Sequence, residues 1–197
     1  MKRRQIQKVA LSLLVVGVLG AIASFGVFGL FTSTTTNPGN QLSSGTVVIG
    51  DNSSGTALYN ISNAKPGTTS TTCIKVTYTG SLPADVKLYM PSSVGSLAQY
   101  EDLTITPGTQ SSPSFPSCTG FTPAAGGALF TGTLQGLSTA NNAYSNGILT
   151  YPGSQTQWNT NDSIVYEFTV TLDASTPNSA QGSNTNSHSF TWEARNQ

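Results

Sequence analysis

A period-two alternation of apolar and polar side chains, repeated in several short segments, is the feature that most constrains how this chain can fold. In Ser163–Leu172, the residues Ile164, Tyr166, Phe168, Val170 and Leu172 share one face, with Glu167, Thr169 and Thr171 opposite. In Thr71–Tyr78, Ile74, Val76 and Tyr78 oppose Cys73, Lys75 and Thr77. Ala84–Met90 sets Val86, Leu88 and Met90 inward and Asp85, Lys87 and Tyr89 outward. Ser187–Arg195 sets His188, Phe190, Trp192 and Ala194 inward. Successive side chains of a strand point to opposite faces, so each segment reads as a half-buried strand. Shorter candidates are Thr46–Ile49, Ala57–Ser62, Leu103–Thr106 and Ala128–Leu134. No helix-length amphipathic pattern follows residue 31. Strands with one apolar face each need a second sheet to cover that face. The predicted fold is therefore all-β, a two-sheet antiparallel sandwich of jelly-roll type, preceded by an N-terminal signal helix.

That leading segment has its own signature. Lys2, Arg3, Arg4 and Lys8 precede an uncharged apolar run from Val9 to Phe31. A basic region followed by an apolar one is an export signal, and at this length a retained anchor has the same appearance. Val27 and Gly29 suit the −3 and −1 positions of a signal-peptidase site, which makes Leu30 the first mature residue. A cut after Ala23, with Ala21 at −3, is the second choice. The expected organisation is a signal peptide at 1–29, a flexible polar leader at 30–45 and a β-sandwich domain at 46–197. Leu30, Phe31 and Leu42 are the sizeable apolar residues of the leader.

Export changes the charge reading. The mature chain keeps Lys65, Lys75, Lys87 and Arg195 against eight carboxylates, a net of −4. An acidic surface without a basic patch argues against nucleic acid or anionic lipid as partners. The membrane would be met only through the signal segment. Both cysteines, Cys73 and Cys118, lie in the exported part, where an isolated pair is most simply a disulfide. Because Cys73 falls on the polar face of its strand, the bridge is expected to pin a loop over the outside of the sheet. Residues 107–127 carry Pro107, Pro113, Pro116 and Pro123, which argues against regular structure through most of that stretch.

Catalytic residue types are scarce. The single histidine, His188, falls on an inward strand face, where it reads as a packed core residue. Zinc sites recruit several His or Cys ligands, and no H-E-x-x-H motif occurs. Glu101 and Asp102 are adjacent just before a strand, so at least one is expected in solvent. Asp51-Asn52-Ser53-Ser54-Gly55 offers oxygen ligands at short spacing, but a polar turn accounts for it as well as calcium does. No cofactor and no catalytic residue is assigned, and an enzyme is not expected.

Several blocks together resemble a known family. They are the signal ending Phe28-Gly29-Leu30-Phe31-Thr32-Ser33, the strand after Gly45-Thr46-Val47, the block KPGTTSTTCIKVTYTGSLPADVKLY (65–89) and the ending FTWEARNQ. The chain resembles the TasA/camelysin family of Gram-positive bacteria, most closely its actinobacterial members. The resemblance implies a jelly-roll domain released by a SipW-type signal peptidase to the cell surface or exterior. It also implies self-association into extracellular or biofilm-matrix fibres, the leader of one subunit adding a strand to the next. The expected function is thus a secreted structural protein without catalysis. One alternative is the secreted metallopeptidase suggested by camelysin. Another is a monomeric surface- or carbohydrate-binding sandwich, for which Tyr89, Tyr144, Tyr151 and Trp158 are the candidate aromatics.

Overall fold

The computed structural model describes residues 41 and 43–196, and every element below lies in the unit beginning at Ser44. The signal segment and the residues Val27, Gly29, Leu30, Phe31 and Leu42 lie outside the described residues. Among the described residues nine strands run in chain order: β1 (Ile49–Asp51), β2 (Thr69–Tyr78), β3 (Asp85–Tyr89), β4 (Glu101–Gln110), β5 (Phe121–Pro123), β6 (Phe130–Thr133), β7 (Ile148–Thr150), β8 (Ser163–Leu172) and β9 (Thr191–Arg195). One short helix, α1 (Leu134–Ala140), follows β6.

Two antiparallel sheets result. The larger has the order β1-β2-β8-β4-β5, with β6 also paired to β4, and the smaller has the order β7-β3-β9. β8 is the spine of the larger sheet: Ile74 stands opposite Tyr166 on one side of it, and Leu103 opposite Val170 on the other. The inner faces meet in an apolar core that includes Val76, Tyr78, Val86, Leu88, Leu103, Ile105, Tyr166 and Phe168, all at most 1% exposed. Burying a side chain of this size contributes roughly 1.5–3 kcal/mol, so this layer supplies most of the driving force. Aromatic rings join the sheets. Phe168 meets Phe190 at 4.9 Å between centroids and Tyr166 meets Trp192 at 5.5 Å. Both spacings lie in the favourable range for aromatic pairs.

The four strongly alternating segments are all strands, and β8 spans the predicted Ser163–Leu172. Several expectations need correction. Ala57–Ser62 is irregular, because Leu58 and Tyr59 pack against the core from a segment that pairs with no strand. The first strand covers Ile49–Asp51 rather than Thr46–Ile49. The last begins at Thr191 rather than Ser187, since residues 184–189 are drawn instead to residues 92–97 by backbone bonds such as Gly95 N–H to Thr185 O, 2.9 Å. β4 runs on through Pro107, and β5 forms inside the proline-rich stretch. Pro107 is tolerated for a geometric reason. In an antiparallel strand the N and C=O of one residue point to the same side. The Pro107 carbonyl accepts from Ala124, on the side away from β8, so the missing N–H falls between the pairings with β6 and β5. The helix α1 was unexpected. Thr133 caps it, its hydroxyl accepting from Gly136 N–H at 3.1 Å, and Leu134 and Leu137 bury its inner side. A third short strand, β7, completes the smaller sheet and corresponds to none of the strand candidates above.

Candidate functional site

Cys73 and Cys118 form a disulfide, with Cα atoms 5.0 Å apart. Cys73 is 1% exposed although it lies outside the core cluster. The loop between β4 and β5 covers it, and Cys73 N–H donates to Pro116 O at 3.0 Å. The bridge therefore clamps that loop across the outer face of the larger sheet. Glu167 lies beside the two sulfurs, but both are committed to each other, so this cluster offers one carboxylate to a metal and no thiolate.

The oxygen-rich turn after β1 satisfies itself. Asp51 Oδ1 accepts from the N–H and the hydroxyl of Ser53, at 2.7 and 2.5 Å. Asn52 Oδ1 accepts from Lys75 N–H at 2.8 Å. Ser54 and Gly55, consecutive in the left-handed region at φ 53° and 79°, then turn the chain into the segment 55–64.

Three of the four candidate aromatics gather on the outer face of the smaller sheet. Tyr89 donates to Glu193 at 2.7 Å, and Tyr151 donates to Asp85 Oδ1 at 2.9 Å. The Arg195 guanidinium lies 4.0 Å from the Tyr144 ring centre, and Lys87 Nζ lies 4.9 Å from it. Arg195 also pairs with Glu193 at 2.6 Å. Hydrogen bonds from Tyr89 and Arg195 hold the Glu193 carboxyl below its usual range. Cations thus already cover a face of Tyr144, and the Tyr89 and Tyr151 hydroxyls are engaged. Trp158 is different: it is fully buried and its indole N–H donates to Thr150 O at 2.6 Å. It is a core residue.

The most chemically distinctive arrangement lies where the two sheets part. Beyond β9, the inner face of the larger sheet is left to irregular segments, and a groove opens there over Ile74, Val170 and Leu172. Residues 55–64 form one wall, residues 181–190 the other, and Trp192 and Phe190 line its end. At this groove Tyr59, Glu101 and His188 meet. The Tyr59 hydroxyl donates to Glu101 Oε1 at 2.6 Å and lies 2.7 Å from His188 Nε2. His188 Nδ1 is 3.0 Å from the carbonyl of Asn186. Glu101 is buried at 7% exposure, while Asp102, on the opposite side of β4, is exposed. Burial raises the Glu101 carboxyl above its ordinary range, against the smaller opposing pull of the Tyr59 bond and the His188 charge. Burial and the neighbouring Glu101 also push the Tyr59 phenol up, so it stays protonated.

His188 is thus half-buried at a groove and not packed within a strand, although its edge-on contact with Phe190, 5.8 Å between centroids, keeps it against the core. Sequence reasoning singled out His188 and Glu101 separately and missed Tyr59. The three lie up to 129 positions apart, so no local spacing brings them together. The chain matches no protein-family model and no curated protein.

Proposed function

We propose that this chain is a secreted structural protein of the cell surface or extracellular matrix, a TasA/camelysin-type jelly roll that assembles by strand addition. One observation carries the reading. β9 pairs with β3 on one side and with no other strand among the described residues, and it begins beside the apolar groove. An unpaired strand edge templates a further strand, and alternate side chains of the incoming segment need apolar ground to rest on. Ile74, Val170, Leu172, Phe190 and Trp192 are such ground. The occupant we assign is the leader, residues 30–45, of a second copy. Thr46 is anchored at the side of the larger sheet, its carbonyl accepting from Ser81 N–H at 2.9 Å, so the leader emerges from a fixed point. Sixteen residues, at roughly 3.3 Å each, span about 50 Å when extended, enough to reach a neighbouring domain.

In this reading a SipW-type peptidase removes residues 1–29, the leader is freed and Leu30, Phe31 and Leu42 become its anchoring side chains. Catalysis has no part in it. N-terminal sequencing of exported protein, with electron microscopy after slow concentration, tests the proposal. A start at Leu30 and the appearance of filaments support it. A protein beginning at Met1 in the membrane fraction, or dispersed monomers, contradicts it.

A further inference from the structure

The segment 55–64 rests on the core through Leu58 and Tyr59 but is joined to the rest of the fold by few hydrogen bonds. Between Ala57 and Ala64, two groups hydrogen-bond outside the segment: the Leu58 carbonyl, which accepts from Thr72 Oγ1 at 2.8 Å, and the Tyr59 hydroxyl. Residues 60–64 are all exposed, including Ile61. Left-handed backbone at Ser54 and Gly55 on one side and at Asn63 on the other gives the segment two bends about which to swing. Tyr59 reaches from it across to β4 and to the opposite wall.

Counting protons defines what holds Tyr59 there. The Asn186 carbonyl only accepts, so His188 Nδ1 carries a hydrogen. In one arrangement Nε2 is protonated as well and donates to the Tyr59 oxygen, while Tyr59 donates to the Glu101 carboxylate. In the other, Glu101 is a neutral acid donating to Tyr59, and Tyr59 donates to an unprotonated Nε2. Both satisfy every group, and they contain the same number of protons. They interconvert by two coupled hops, the Nε2 hydrogen to the Tyr59 oxygen and the Tyr59 hydrogen to Glu101, which together carry one proton's charge along the line. If that proton leaves, Tyr59 has one hydrogen for two acceptors, and a lone pair of His188 faces a lone pair of Tyr59.

We propose that Tyr59 is a latch, held across the groove by one proton shared between Glu101 and His188, and that loss of this proton frees residues 55–64 and uncovers the apolar floor. This rests on the proposed assembly, since the uncovered floor is where the leader of a second copy would dock. The remaining ionisable groups around the relay are occupied or turned away. Asp51 on β1 is held by Ser53, and Asp173 after β8 accepts from Ser175 N–H at 2.7 Å. Asp102 projects to the other side of β4, Tyr100 lies before it, and Lys65 at the base of the segment is exposed. With the proton retained the latch is shut; when base removes it the latch opens.

Protection of the peptide bonds after Leu58 and Tyr59 from chymotrypsin, relative to a free peptide of the same sequence at the same pH, reads the latch directly on the mature chain. Losing a charge-assisted bond changes a local opening equilibrium by roughly tenfold or more. Protection of these bonds should fall by about that factor between about pH 6 and pH 9, with those in β8 unchanged. Tyr59→Phe should show the lowered protection already at the lower pH and lose the dependence. Glu101→Gln, whose amide donates to the Tyr59 oxygen without the shared proton, should stay protected at both pH values. The chain has one histidine, so a nitrogen-15 imidazole spectrum reads His188 alone, with the hydrogen on Nδ1 at both pH values. Equal protection at both pH values, or Tyr59→Phe indistinguishable from the parent, overturns the latch. Filament formation is scored separately. A pH-responsive segment with leader-independent filaments refutes the docking alone, and a leader-dependent filament with an unresponsive segment refutes the latch alone.

Discussion

Replacing Cys73 and Cys118 together by alanine removes a cross-link that closes 45 residues. In the chain-entropy picture, freeing a loop of that length in the unfolded chain costs the native state about 4 kcal/mol. The structure places this loss outside the core. Cys73 sits beyond the apolar cluster, beneath a loop that is also fastened by Cys73 N–H to Pro116 O and by Gln110 Nε2 to the carbonyls of Ser117 and Thr119, at 2.8 and 2.9 Å. Those bonds survive the double substitution, so the folded loop is expected to stay in place and the change to act through the unfolded ensemble. Urea unfolding followed by tryptophan fluorescence measures it, since Trp158 and Trp192 both sit on the inner side of the sandwich. With a slope of about 2 kcal/mol per molar, the midpoint should drop by about 2 M. Near-UV circular dichroism of the native state should hardly change. A loss below about 1 kcal/mol, or a collapsed near-UV spectrum, would refute the reasoning: the first would mean the bridge constrains little, the second that it supports the core.

Glu101 supplies a pH prediction. Burial holds its carboxyl above the ordinary range in the fold, so the native state binds that proton more tightly than the unfolded chain. Its contribution is complete below the unfolded value of about 4.3 and is lost as pH rises through the raised native value. Glu101→Gln should therefore gain stability relative to the parent as pH rises above about 4, measured by denaturant midpoints, and a parallel pH profile would count against it. Trp158→Phe deletes the indole bond to Thr150 O and leaves a gap at a fully buried position. It should cost about 2 kcal/mol and lower Tm by about 4–8 °C, whereas an unchanged Tm would show that the bond is dispensable. Leu103→Ala, on the inner face of β4, should cost about 2–5 kcal/mol, far more than Asp102→Ala on the exposed face of the same strand.

How much of this was legible depends on how local the cause is. The long strands β2 and β8 carry strict alternation over many residues, and a one-residue slip would turn Tyr166 and Phe168 out to solvent, so their faces follow from the sequence. The disulfide and its outer-face position were equally readable, because Cys73 alternates with Ile74. Elements set by tertiary partners were not. Seven residues of α1, with Gly136 inside, are too short for a helical period to show. Pro107 reads as a strand breaker until its pairing shows that its N–H was not needed. His188 alternates with Phe190 and Trp192 as if in a strand, yet backbone bonds from residues 95 and 97 draw its neighbours away. The relay was the least readable feature of all, since Tyr59 lies 42 residues from Glu101 and 129 from His188. Long-range contacts of this kind leave no mark in a single segment.

The account turns on the leader being the part of one copy that docks on another. The direct measurement compares the chain 30–197 with the chain 43–197 by sedimentation and electron microscopy under the same slow concentration. Far-UV circular dichroism is run alongside to establish that both are folded. The account predicts filaments from the longer chain and a folded monomer with the same β spectrum from the shorter one. Filaments from the shorter chain, as abundant as those from the longer, would contradict it.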